Sequence, residues 1–140
     1  IVDHLVNTAR SFIFSTAFSP ATVAAALAAL RVLRKEPSLV ADLRRKGDLF
    51  RAALREGGFT VDESPTPIIP LVVGRAETAT QFSAKLLQVG ILASAIRPPT
   101  VPEGTSRLRL SLSAVHTESE LLRAAEQIIT IGRQLGLIGR

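Results

Sequence analysis

The chain has 140 residues, 46% hydrophobic and 21% charged, which suits one globular domain of ordinary size and excludes a disordered polymer. It has no cysteine and two histidines, His4 and His116, so disulfides, thiolate metal sites and histidine-rich metal centres are excluded. The net charge is +5, and because Lys35, Lys46 and Lys85 are the only lysines the excess is carried by arginine. Six phenylalanines are the only aromatics, with no tryptophan or tyrosine, and the arginines are scattered, which argues against nucleic acid as a partner. No apolar run approaches the roughly 20 residues of a membrane span. The chain contains no methionine and begins at Ile1, from which we expect a piece of a longer protein.

In chain order, Ser11 to Thr16 (SFIFST) reads as a short strand buried on both faces. Ser19 is a good helix cap and Pro20 a good first helical residue. The alanine-rich helix that follows carries Val23, Leu27 and Leu30 on one stripe. A second helix is expected over residues 38–56, with Leu39, Leu43, Phe50 and Leu54 in phase, ended by Gly57-Gly58. Phe59 to Val61 reads as a short strand and Ile68 to Val73 as a buried one, which Pro70 confines to an edge or a bulge.

A third helix is expected over residues 76–89, stopped by Gly90, then a strand at ILASAI, residues 91–96. The proline-stiffened loop RPPTVPEG feeds a strand from Ser106 to Ser113. Thr117 and Glu120 make a capping box for a last helix with Leu121, Leu122, Ala125, Ile128, Ile129 and Leu135 facing inward. From residue 57 onward the order is β-β-α-β-β-α. This is an α+β fold class, a small, largely antiparallel sheet with helices on one face. Residues 1–18 do not fit this unit and read as the remnant of another domain. Residues 19–37 form a connecting helix, and residues 38–140 the small domain.

Alternation over Leu108, Leu110 and Leu112 puts Arg107, Arg109, Ser111 and Ser113 on the opposite face. That face is either solvated, with arginine stems lying over the sheet, or carries a guanidinium fork for a carboxylate or phosphate. Ser15 and Thr16, between the first strand and a helix start, either end the strand or offer hydroxyls to a phosphate. The three lysines sit in charged helical surroundings without the apolar setting of an activated amine.

Two stretches are more specific. LVNTARSFIFSTAFSPA and RPPTVPEGTSRLRLSLSAVHT closely resemble the C-terminal third of the α-oxoamine synthases, pyridoxal-phosphate enzymes of the aspartate-aminotransferase fold. The resemblance covers essentially the whole chain. The RPPTVP wording matches members that condense L-alanine with pimeloyl-CoA, or a pimeloyl carrier-protein thioester, releasing CO2 and CoA. The resemblance implies a cytoplasmic homodimeric parent with pyridoxal 5'-phosphate as cofactor, and no nucleic-acid or membrane partner. The family's Schiff-base lysine lies upstream, so no catalytic residue is expected in this chain. By the same resemblance, Arg109 binds the amino-acid carboxylate and Thr100 contacts substrate. Thr16, with Ser15, reaches the cofactor phosphate across the dimer interface. Two alternatives are a sister synthase of the glycine C-acetyltransferase or 5-aminolevulinate synthase type, and a non-catalytic basic interaction module.

Overall fold

The computed structural model describes residues 1–13 and 18–139. They divide into two compact units, Ile1–Pro37 and Ser38–Arg140. The first holds α1 (Val2–Thr8), α2 (Arg10–Ile13) and α3 (Pro20–Lys35). Ser19 caps α3, its hydroxyl accepting the Thr22 N–H at 3.3 Å, with Pro20 in the first turn as the sequence indicates. Val23, Leu27 and Leu30 remain exposed. The strand expected at Ser11–Thr16 is corrected over its first half, because Ser11–Ile13 belong to α2. A helical turn satisfies its own backbone groups, whereas a strand needs a neighbour, and no strand is described in this unit. The rest of that segment, with Ser15 and Thr16, lies outside the described residues.

The second unit runs α4 (Ser38–Glu56), β1 (Ile68–Gly74), α5 (Ala76–Gln88), β2 (Ser94–Ile96), β3 (Ser106–Ser111) and α6 (Glu118–Gln134). The sheet is three-stranded in the order β1-β3-β2, and both pairings are antiparallel. Leu112 N–H donates to Pro67 O at 2.9 Å. By the two-residue alternation of an antiparallel ladder, Ile69–Leu110 and Leu71–Leu108 are then the hydrogen-bonded pairs. Pro70, opposite Arg109, turns its donor-less nitrogen to the open edge, which is why proline is tolerated there. The register shifts between Val72 and Gly74, so the strand carries a bulge as well.

One face of the sheet is covered. Ile69, Leu71, Leu108 and Leu110 pack with Phe50 and Leu54 of α4, Phe82 and Leu86 of α5, and Leu121, Ala125 and Ile128 of α6. Each fully buried large side chain contributes about 1.5–3 kcal/mol. Leu122, expected inward, is 40% exposed, since it lies one helical step off the Leu121–Ala125–Ile128 stripe. No helix among the described residues is long and apolar enough to cross a membrane.

Two expected strands are shortened or lost, for the same reason. Phe59–Val61 forms no strand: Arg55 donates to the Val61 carbonyl from Nε at 3.2 Å and from Nη2 at 3.1 Å, and to Asp62 O at 2.9 Å. Upstream, Gly58 at φ +104° ends α4, with Phe59 N–H returning to Leu54 O at 3.0 Å. The strand expected from residue 91 begins only at Ser94. Ile91 N–H is held by Leu86 O at 2.9 Å, and the Ser83 hydroxyl donates to Ala93 O at 2.5 Å. These carbonyls and donors are taken by helices before a ladder can form.

Gly132 lets α6 approach the chain after α4 closely. A Cβ there would lie 2.4 Å from Phe59 Cζ, on the ring that stacks with Phe82 at 6.3 Å. Gly132→Ala is therefore expected to destabilise the chain by about 1–3 kcal/mol, although alanine in an open helix would stabilise by about 1 kcal/mol. Chemical denaturation of Gly132→Ala, alone and with Phe59→Leu, checks this, and the second change should recover part of the loss.

Candidate functional site

β3 places its odd-numbered side chains on the face that the helices leave open. Arg109 is exposed and stands between Pro70 of β1 and Ser94 of β2. Arg107 stands between Val72 and Ile96, is half-buried, and spends its Nε–H on Thr105 O at 2.9 Å. The Arg109 side chain makes no hydrogen bond or ion pair with a described residue. Arg107 thus commits one of its five N–H donors to the chain just before its strand, whereas the side chain of Arg109 commits none to a described residue.

Arg109 lines an open groove of about 1100 Å³ at the β2 side of the sheet, together with Ser94, Ser111, Leu92 and α6 residues between 120 and 128, Glu120, Arg123 and Glu126 among them. Thr100 is exposed in the turn after Arg97, its N–H bonded to Arg97 O at 3.1 Å, and does not line this groove. That turn follows Ile96, which pairs with Arg107, so it leaves the sheet at the end away from the groove. A cis peptide bond joins Pro98 to Pro99. Of the four residues singled out from the sequence, the groove therefore takes Arg109. Thr100 stands apart from it, and Ser15 and Thr16 lie outside the described residues.

The turn leading out of β3 is held by α4 through groups that the charge pattern did not reveal. Lys46, 8% exposed, donates to Ala114 O at 2.8 Å and pairs with Asp42 at 2.6 Å. Arg45 bridges Asp42 at 2.7 Å and Glu118 at 2.5 Å. Arg51, 3% exposed, donates to the Thr66 carbonyl. In the sequence these cations alternate with the apolar positions of α4 and read as a solvated face, and only the fold reveals the carbonyls they meet. The capping box is formed as expected. Glu120 N–H donates to the Thr117 hydroxyl at 3.2 Å, and Thr117 N–H to Glu120 Oε2 at 2.7 Å. His116 Nδ1 accepts Ser113 N–H at 3.2 Å, which stops β3 by turning its chain toward α6.

Hydrogen bonds from Lys46 and then Arg45 hold the Asp42 carboxyl below its ordinary range. The Thr117 backbone N–H, then its hydroxyl, does the same for Glu120. Among the described residues no group of three or more histidine, aspartate and glutamate side chains could hold a metal ion. Chemically, the site offers bidentate recognition of a carboxylate by a guanidinium fork on a rigid strand.

An open-faced, helix-backed antiparallel sheet with an exposed arginine on its bare face defines an α+β unit. Residues 1–128 match the model of the aminotransferase class I and II family, and the chain belongs to that family. It is 48% identical to the 8-amino-7-oxononanoate synthase of Geobacter sulfurreducens over 140 residues, covering 99% of this chain and 36% of that protein. It is 43% identical to the synthase of the same name from Lysinibacillus sphaericus, covering 97% of this chain and 35% of that one. Among solved structures, the 8-amino-7-oxononanoate synthase from Francisella tularensis superimposes with a TM-score of 0.71 at 26% identity, over 95% of this chain and 39% of that one. Serine palmitoyltransferase from Sphingomonas wittichii gives a TM-score of 0.80 at 26% identity, over 99% of this chain and 35% of that one. The chain thus spans about a third of the length of the curated relatives it matches.

Because Asp42 and Glu120 have lowered folded-state pKa values, their contribution to stability is present above their unfolded values, about 4. It is lost as pH falls through the folded values. Asp42→Asn and Glu120→Gln should each be less stable than the parent at pH 6. The gap should close as pH falls well below 4, as read from urea midpoints across that range.

Proposed function

We propose that this chain is the substrate-carboxylate half of a pyridoxal-phosphate-dependent synthase. The enzyme condenses L-alanine with pimeloyl-CoA, or a pimeloyl carrier-protein thioester, to give 8-amino-7-oxononanoate, CO2 and the free thiol, in biotin biosynthesis. One observation carries the reading: Arg109, at the centre of the open sheet face, has no side-chain partner among the described residues and lines the groove, which Arg107 does not. The 43% to 48% identity to relatives bearing that synthase name supports the substrate assignment.

The residues present fit the substrate end of such a site rather than the cofactor's covalent anchor. Lys46 Nζ is buried and engaged by Ala114 O and Asp42. Lys85 lies on a helix that does not line the groove. Pyridoxal phosphate, held by a lysine of the longer enzyme, supplies the electron sink for a carbanion at the amino acid's Cα. Arg109 holds the alanine carboxylate on a strand fixed from both sides and keeps it oriented until it departs as CO2. We assign Thr100 to a substrate contact, and Thr16, with Ser15, to the cofactor phosphate in a cytoplasmic homodimer. The resemblance of the stretches around these residues supports this. A sister reading, with serine or glycine as the amino acid, is favoured by the serine palmitoyltransferase structures but at only 26% identity. A non-catalytic basic module is disfavoured by membership of the aminotransferase family.

In the longer enzyme, Arg109→Ala should lower kcat/KM for L-alanine by about 100-fold, the value of a charge-assisted pair. Glycine and L-serine should be poorer substrates than L-alanine for the parent. Unchanged alanine kinetics in the variant would remove the carboxylate role. The 140-residue chain mixed with pyridoxal phosphate should develop no lysine-linked visible absorbance.

A further inference from the structure

Ser94 is the direct cross-strand partner of Arg109, so the two side chains share the open face of the sheet. Ser111 follows Arg109 by two residues on β3 and points the same way. Both serines are exposed, and neither hydroxyl bonds to a described residue. All three residues line the same groove. On the other side of Arg109 stands Pro70, which offers no donor. Ser94 therefore flanks the guanidinium on the β2 side and Ser111 along β3, in a groove that Glu120, Arg123 and Glu126 also line.

The main chain adds to this asymmetry. On β3 the even-numbered residues bond toward β1, so Ser111 directs its N–H and C=O toward the β2 side. β2 starts only at Ser94, opposite Arg109, and supplies no strand residue opposite Ser111. The Ser83–Ala93 hydrogen bond is what draws the preceding chain away. The exposed edge is too short for strand addition, because the next N–H in phase, that of Ser113, is taken by His116. It is long enough for one small anion.

We propose that Ser94 and Ser111 complete a three-point carboxylate cradle with Arg109. The guanidinium fork takes both carboxylate oxygens, and the two hydroxyls donate to the lone pairs the fork leaves free. The guanidinium charge favours a carboxylate over a neutral amide, and the serines act as positioning residues that strengthen and orient the carboxylate on the fork. The inference rests on the reading of Arg109 as a carboxylate fork and extends it to two residues whose side chains can be changed without touching the core.

The test uses the longer enzyme with propionate and L-alanine as probes, and propionamide as the uncharged control. Binding is read from the Arg109 guanidinium nitrogen resonances. A saturable shift is expected with propionate and L-alanine, and little with propionamide. S94A/S111A should weaken propionate binding by about three- to tenfold, S94T/S111T should restore it, and Arg109→Gln should abolish it. If Arg109→Gln abolishes binding while S94A/S111A binds like the parent, the cradle is wrong and the arginine fork stands. If propionate gives no saturable shift, or Arg109→Gln leaves it unchanged, both the fork and the cradle fail.

Discussion

β3 is paired on both sides, and this double pairing decides what the rest of the unit can do. Its register against β1 and β2 sends Leu108 and Leu110 into the core and leaves Arg107 and Arg109 on the bare face. A slip by one residue would exchange them. The cost would be the burial of two guanidinium charges, several kcal/mol each, together with the exposure of leucines contributing about 1.5–3 kcal/mol each. The same constraint that builds the core therefore fixes the position of the arginine fork. A side chain on a central strand is held more closely than one on a loop.

The helices secure this strand from its far end. Lys46 and Arg45 of α4 reach the turn that joins β3 to α6, one through the Ala114 carbonyl and the other through Glu118. Arg51 and Arg55, further along α4, take the carbonyls of Thr66, Val61 and Asp62. Three of these basic side chains, Lys46, Arg51 and Arg55, thus bond backbone carbonyls along segments that have no strand pairing, while Arg45 ties α4 to the first residue of α6. Arginine suits this task because its planar fork can meet two successive carbonyls, as Arg55 does.

What the sequence made legible was whatever depends on local period and local chemistry. The two-residue alternation of β3, the Thr117–Glu120 capping box, the Ser19-Pro20 helix start and the Gly58 and Gly90 helix ends all rest on contacts within a few residues. What escaped depends on which side chain or helix end captures a backbone group, whether a turn or two away or far along the chain. Phe59–Val61 has a strand's composition, yet Arg55 takes its carbonyl. Ile91–Ala93 has a strand's composition too, yet Leu86 and Ser83 hold it. Lys46 reads as one more surface charge because Ala114, 68 positions away, is invisible to a helical wheel. At the site, periodicity placed Arg107 and Arg109 on the right face but could not separate them. The groove, which takes Arg109 and not Arg107, supplied the distinction.

A single guanidinium on an open sheet face is a weak anion site in water. Exposed ion pairs contribute about 0–1 kcal/mol, because solvent screens the attraction and competes for the same donors. Two routes strengthen it: adding donors that an anion can satisfy simultaneously, and bringing a second surface over the face to exclude water and lower the local dielectric. The serines beside Arg109 serve the first route, and the apolar residues on the same face suit the second. Ile68 and Val72, 47% and 55% exposed, bracket Pro70 along β1 and offer a dry rim for a covering surface. In a synthase built as proposed, that surface also carries the cofactor. The fork would then gain its full strength only where the chemistry can proceed, and binding of the carboxylate and exclusion of water become one event.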